Sequence, residues 1–194
     1  GFMSGKGTRE GILNMRLICE RYIEVNKDIY ACFIDYEKAF DRVNHELMIK
    51  CLEDIGLNGK DIKVIVNLYW TQKAFIRLDQ DLSDEIMIKR GVRQGCVLSP
   101  CLFNLYTEMI FRHIEHITGV IVGGININNF RYADDTVLLA ESEESLQVIM
   151  DEVNESGKKY NMKMNAKKIK TLIITKKDEK PNMKTAIHGT DIEQ

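Results

Sequence analysis

The sequence predicts an α+β fold, an antiparallel sheet in split βαβ order with helices packed on one face. Three features lead there. Apolar residues at helical spacing, such as Leu47, Met48, Cys51, Leu52 and Ile55, alternate along the chain with short strand-like runs. The run Ile29-Tyr30-Ala31-Cys32-Phe33-Ile34 is nearly all apolar and ends at Asp35, as expected of a central strand covered on both faces. Two further runs, Phe130 to Tyr132 and Val137 to Ala140, enclose the acidic pair Asp134-Asp135 in the manner of a hairpin.

The remaining elements follow in order. Gly56 is placed to stop the helix that contains Leu47 and Ile55, and a second helix is expected around Ile62 to Tyr69. Lys73 to Leu78 and Glu85 to Lys89 alternate in character, which predicts an antiparallel hairpin across Asp79 to Ser83. Ser99-Pro100 opens a helix toward His116, with the hydroxyl as cap and proline where no amide partner is needed. Val120 to Asn126 and Phe130 to Ala140 read as strands. Ser142 then caps a helix whose inner stripe is Leu146, Ile149, Met150 and Val153. A strand near Met162 and another at Thr171 to Ile174 complete the pattern.

The 194 residues and 44% hydrophobic content suit one domain with a well-buried core. The net charge of −2 is unusual for a stand-alone nucleic-acid binder, so basic elements are expected outside this segment. A local exception runs from Lys158 and Lys159 through Lys163, Lys167, Lys168 and Lys170 to Lys176 and Lys177. It reads either as a solvated face or as a phosphate track. Five cysteines without paired-ligand spacing suggest reduced thiols and an intracellular setting. His113 and His116 can share a helix face but lack a third zinc ligand. No apolar run approaches the roughly 20 residues of a membrane span, and no repeats or linkers divide the chain.

The carboxylates carry the chemistry. Two of them about 4 Å apart repel by roughly 4 kcal/mol at an effective dielectric near 20, so a cluster needs cations or protons. Oxygen ligands without nearby Cys or His favour Mg²⁺ over zinc or copper. Read alone, Asp134-Asp135 is equally well a polar turn, because Asp is a common turn residue.

The motifs taken together point further. Phe33-Ile34-Asp35-Tyr36-Glu37-Lys38-Ala39-Phe40-Asp41 and Tyr132-Ala133-Asp134-Asp135 resemble the two carboxylate motifs of reverse transcriptases. Between them, Arg90-Gly91-Val92-Arg93-Gln94-Gly95-Cys96-Val97-Leu98-Ser99-Pro100 is similar to that family's nucleotide-pocket motif in the form typical of non-LTR, LINE-like retrotransposons, Cys96 distinguishing it from group II intron enzymes. Gly1-Phe2 with Gly5-Lys6-Gly7-Thr8, Asn161 to Asn165 with Lys168, and Ile187-His188-Gly189-Thr190 onward match flanking motifs in the family's order.

The resemblance implies a reverse-transcriptase palm with partial fingers over residues 1–194, cut from a longer polyprotein, with the N-terminal fingers, the full primer grip and the thumb elsewhere. It implies an RNA-directed DNA polymerase that uses Mg²⁺ or Mn²⁺, an RNA template, a DNA primer and dNTPs in the nucleus and cytoplasm, the isolated segment being inactive. By position, Asp35 and Asp134 are the shared metal ligands and Asp135 a third carboxylate. Backbone groups at Tyr36 supply a carbonyl to the metal or amides to the triphosphate. Phe40 is the ring that excludes a ribose 2′-hydroxyl, unless it is simply a core residue. Gln94 meets the incoming nucleotide or template base, Gly95 permits close approach, and Arg93 touches phosphate or a neighbouring acid. Lys168 protonates departing pyrophosphate, with Lys167 and Lys170 as adjacent alternatives; Tyr132, Lys167 and Lys170 are also candidate nucleic-acid contacts. Asp41 is expected to be structural, capping the turn before His45. The rival implication is a domesticated or inactive remnant that serves as a nucleic-acid-binding or interaction module.

Overall fold

The computed structural model describes residues 7–177, 181–187 and 189–194. Gly1, Phe2, Gly5, Lys6 and His188 of the flanking motifs lie outside the described residues. The elements are α1 (Thr8–Glu24), β1 (Ile29–Ile34), α2 (Ala39–Arg42), α3 (His45–Asp54), α4 (Gly59–Trp70), β2 (Lys73–Ala74), β3 (Arg77–Leu78), β4 (Asp81–Leu82), β5 (Ile86–Met87) and α5 (Ser99–Phe111). After a 3₁₀ turn at Arg112–Ile114 come β6 (Val120–Val122), β7 (Ile125–Ile127), β8 (Asn129–Tyr132), β9 (Asp135–Ala140), α6 (Glu143–Lys159), β10 (Lys170–Ile174), β11 (Ala186–Ile187) and β12 (Thr190–Asp191). Two compact units result: one holds the residues up to Glu37 and from Ile110 onward, the other Lys38–Met109. Among the described residues no helix is long and apolar enough to cross a membrane.

The first unit is built on a four-stranded antiparallel sheet in the order β10-β1-β9-β8. Because side chains alternate across a strand, Ile29 and Ala31 share a face with Leu139, while Cys32 and Ile34 share the other with Leu138 and Ala140. All seven are buried. α6 packs against β1 and β9 with Leu146, Ile149, Met150 and Val153 fully buried, and Ser142 caps it by accepting the Ser145 N–H. The expected single helical layer is corrected by α1: its Ile18 and Tyr22 form a second cluster with Ile29, Ala31, Val120 and Leu139 on the opposite face. That cover stops short of the strand end, where Phe33 remains 41% exposed.

Two further expectations change for local reasons. Val120 to Asn126 is the hairpin β6–β7, because Gly123 and Gly124 adopt φ of 58° and 80°, as a tight hairpin turn requires. The strand near Met162 reduces to one bridge between Met164 and Tyr36. In α6 the C-terminus is closed by Asn161 in the left-handed region, with the Met162 N–H bonded to Gly157 O and the Asn161 N–H to Lys158 O.

In the second unit, Gly56 stops α3 through the same pair of bonds, Leu57 N–H to Leu52 O and Gly56 N–H to Glu53 O. Asn44 rather than Asp41 caps α3, accepting the Leu47 N–H at 3.0 Å, and Asp41 lies within α2. The hairpin from residue 73 is present as β2 paired with β5 and β3 with β4, its turn tightened to Asp79-Gln80 by Asp79 at φ 53°. α5 starts at Ser99 as expected but ends at Phe111, and the Ser99 hydroxyl donates to Arg93 O at 2.5 Å instead of capping the helix.

Tyr22 ties α1 to the sheet. Its hydroxyl donates to Glu141 Oε1 at 2.5 Å and accepts the Ile121 N–H at 2.5 Å. The Tyr22 bond, above all, holds the Glu141 carboxyl below its ordinary value of 4.5. A depressed carboxyl pKa contributes stability above the unfolded value and loses it as pH falls through the folded one. Tyr22→Phe should therefore destabilise the chain at pH 7 by about 1–3 kcal/mol, and the deficit should shrink at pH 3, as read by denaturant unfolding.

Candidate active site

The register Ile34↔Thr136 between β1 and β9 decides where the carboxylates lie. Asp35 is one step beyond Ile34, Asp135 one step before Thr136, and paired Cα atoms on such strands are about 4.5–5.5 Å apart. By alternation Asp35 continues the face of Phe33, and Asp135 that of Val137. Asp134 is the second residue of the two-residue turn between Tyr132 and Asp135. The first, Ala133, holds φ at 58°, a position glycine usually takes in this kind of turn, at a typical cost of about 1–3 kcal/mol. Asp134 and Asp135 are both exposed.

A second segment fixes Asp35 from the other side. Asn165 N–H donates to Asp35 O at 2.8 Å and Glu37 N–H to Lys163 O at 2.9 Å, with Tyr36 and Met164 paired between them. In that pairing the N–H and C=O of Tyr36 point away from residues 163–165. The Tyr36 ring is buried and its hydroxyl has no hydrogen-bond partner, so the backbone is the part of this residue that a ligand could use. Burial raises the Tyr36 phenol well above its ordinary value.

Lys168, on the turn that leads into β10, places Nζ 3.6 Å from Asp35 Oδ2. The other oxygen, Oδ1, is buried without a hydrogen-bond partner. Among the described residues no group of three or more His, Cys, Asp or Glu is placed to hold a metal ion. An ammonium already balances Asp35, and the two hairpin carboxylates extend into solvent, which relieves their repulsion. The donors nonetheless suit a hard divalent cation, since they are all oxygen and one buried carboxylate oxygen is unpaired.

Most of the lysine run is committed to acids. Lys158 pairs with Glu155, Lys163 with Glu37, Lys170 with Glu193 and Lys177 with Asp28. Lys167 is exposed. These are surface pairs worth about 0–1 kcal/mol, so phosphate can displace them. Tyr132 is half-buried and lines a cavity of about 690 Å³ with Phe33, Phe130, Val137, Met15 and Asp135.

Phe40, Arg93, Gln94 and Gly95 belong to the second unit. Phe40 is partly exposed and stacks on the buried Phe103, ring centroids 4.4 Å apart and planes 11° off parallel. Val92 N–H bonds to Phe40 O, Gly91 N–H to Val43 O, and Asn44 bridges Arg90, which fastens the 90–95 segment alongside α2. Gly91 is required there: at φ 93°, a Cβ would sit 3.2 Å from the Asp41 Cα. Gln94 and Gly95 are the centre of a turn closed by Cys96 N–H to Arg93 O, Gly95 taking φ 84°. Both are exposed. Arg93 reaches Leu68 O at 3.4 Å.

Residues 1–185 match the family model described as "Reverse transcriptase (RNA-dependent DNA polymerase)". The chain belongs to the reverse transcriptase family. It is 30% identical over 162 residues to the retrovirus-related Pol polyprotein from type-1 retrotransposable element R2 of Nasonia vitripennis, covering 84% of this chain and 16% of that protein. The corresponding R2DM polyprotein of Drosophila melanogaster is 30% identical over 174 residues, covering 90% and 16%. The RNA-directed DNA polymerase from mobile element jockey of Drosophila funebris is 28% identical over 182 residues, covering 90% and 19%. The chain thus spans about a sixth of the length of the curated relatives it matches first. Among solved structures, the apo telomerase of Candida tropicalis truncated from its C-terminal domain superposes with a TM-score of 0.69 at 17% identity, over 97% of this chain and 39% of that one. That likeness shows a reverse-transcriptase fold.

Two buried groups that no local sequence signal marks for that role hold the candidate site loops. His45 Nε2 donates to Gly91 O at 2.8 Å, a carbonyl acceptor that fixes the tautomer, and the ring meets Tyr69 edge-on at 5.4 Å. Their only local signal is a polar residue recurring within apolar stripes. Nothing in the spacing of His45 or Tyr69 names the distant backbone atoms they serve.

Proposed function

We propose that the chain is the palm, with part of the fingers, of an RNA-directed DNA polymerase from a non-LTR retrotransposon, and that it adds dNTPs to a DNA primer on an RNA template. One observation supports this most: in a chain of the reverse transcriptase family, Asp35 leaves the central strand beside the hairpin that bears Asp134 and Asp135. In this reading Asp35 and Asp134 hold Mg²⁺, or Mn²⁺ in its place, with Asp135 as the third carboxylate and the Tyr36 carbonyl as a further oxygen donor. The bound cations would activate the primer hydroxyl and neutralise charge on the departing pyrophosphate.

The chain's own residues do the rest. Lys168, within reach of Asp35, would donate a proton to departing pyrophosphate. Lys167 and Lys170 lie close in sequence and, with Tyr132, would track nucleic acid. In the second unit, Gln94 meets the nucleotide or its template base from a turn that Gly95 makes sharp, and Arg93 adds a cation beside it. Phe40, braced by Phe103, excludes the 2′-hydroxyl. The polyprotein supplies the remaining parts of the polymerase.

A longer polypeptide carrying this segment should extend a DNA primer on an RNA template with Mg²⁺, and Asp134→Asn should abolish nearly all extension. Equal extension by both proteins would refute the assignment. Sugar choice gives a separate check on Phe40. Phe40→Val should raise incorporation of ribonucleotides relative to deoxynucleotides at least about tenfold, or 1.4 kcal/mol of differential transition-state binding. Loss of the Phe103 stack alone, about 0.5–1.5 kcal/mol, would lower stability without changing that ratio.

A further inference from the structure

The turn that carries Gln94 is held from beneath by a chain of buried hydroxyls. Ser99 is fully buried, and its Oγ donates to Arg93 O at 2.5 Å, the same carbonyl that accepts the Cys96 N–H and so closes the turn. Tyr69, fully buried on α4, has its hydroxyl 3.1 Å from Ser99 Oγ. Since the serine proton is spent on Arg93, Tyr69 must be the donor in that pair. Ser99 N–H to Cys96 O at 3.1 Å adds a second tie to the turn, and the Arg93 guanidinium reaches back to the α4 carbonyl of Leu68. Gln94 itself projects into solvent with Gly95 beside it at φ 84°. A flexible polar side chain on a sharp turn keeps one direction only if the turn's backbone is fixed. Here the fixing groups lie out of reach of any substrate.

We propose that Tyr69, acting through Ser99, is a positioning residue for nucleotide binding: the Tyr69–Ser99–Arg93 relay sets the turn from which Gln94 meets the incoming nucleotide. The inference rests on the role given to Gln94 above. It departs from a packing role in one respect, because Tyr69→Phe keeps the ring and removes only the hydroxyl. Leaving Ser99 Oγ short of a donor loosens its hold on the Arg93 carbonyl, and a loss of aim at Gln94 affects dNTP binding more than chemistry.

Two measurements separate this inference from the reading beneath it. In the 194-residue chain, the Cys96 thiol is held below its ordinary value chiefly by the Leu98 amide and next by the Ser99 amide, so its reactivity reports the geometry of the turn that the relay holds. Tyr69→Phe and Ser99→Ala should each slow alkylation of Cys96 by iodoacetamide about threefold or more relative to Cys101, with circular dichroism unchanged. Unaltered rates in both variants would overturn the relay whatever the enzyme does. In a longer active polypeptide, Tyr69→Phe should raise the KM for dNTP about tenfold with kcat nearly constant, and should add no further rise in a Gln94→Ala background. Equal effects of Tyr69→Phe in the presence and absence of Gln94 would mark Tyr69 as merely structural and overturn the proposal. If Gln94→Ala leaves KM unchanged, the role of Gln94 fails and the positioning role of Tyr69 fails with it, even where the alkylation result stands.

Discussion

The antiparallel register between β1 and β9 is the constraint on which the candidate site depends. With Ile34 opposite Thr136, Asp35 and Asp135 become neighbours at one end of the sheet. A slip of one residue would turn every side chain of a strand to the opposite face. Both faces resist that slip, because α6 covers one and α1 the other. Ile29, Ala31, Leu138 and Leu139 are fully buried, and burying a Leu or Ile side chain contributes about 1.5–3 kcal/mol. The hydrophobic layers therefore hold the register that makes Asp35 and Asp135 neighbours along the sheet.

Outside that sheet, the reactive-looking side chains sit on turns whose backbone is secured by polar groups underneath. In the first unit, Asn165 and Lys163 pair with Asp35 and Glu37, while Lys168 reaches Asp35 from the same segment. In the second, His45 secures Gly91, and Ser99 with Tyr69 secures Arg93. Exposed residues can keep a fixed geometry when the positions that hold them are buried and satisfied. Both units follow this rule with different groups, mainly backbone pairing in one and a buried imidazole with two buried hydroxyls in the other.

The legibility of these features in the sequence tracks how local their causes are. β1 is legible because a run of six nearly all apolar residues needs cover on two sides, and α6 because Leu146, Ile149, Met150 and Val153 recur on one stripe. By contrast, α1 has no clear periodic signal: Ile12, Leu13 and Leu17 lie on its exposed surface and blur the stripe that Ile18 and Tyr22 bury. The acidic hairpin was expected, yet the left-handed backbone at Ala133 was not, since alanine gives no sign of a conformation that tertiary packing imposes. The lysine run suggested a phosphate track, and only the fold shows Glu37, Glu155 and Glu193 drawn onto it. The bond between His45 and Gly91 links residues 46 apart, so no short pattern records it.

Anomalous diffraction from Mn²⁺-soaked crystals of the chain addresses the central relation most directly, the sharing of one divalent site by β1 and the β8–β9 hairpin. The expected result is a peak about 2.0–2.3 Å from an oxygen of Asp35 and from one of Asp134 or Asp135, with the Lys168 ammonium moved off Asp35. Manganese bound only elsewhere, with Asp35 still paired to Lys168 and the hairpin carboxylates unshared, would contradict it.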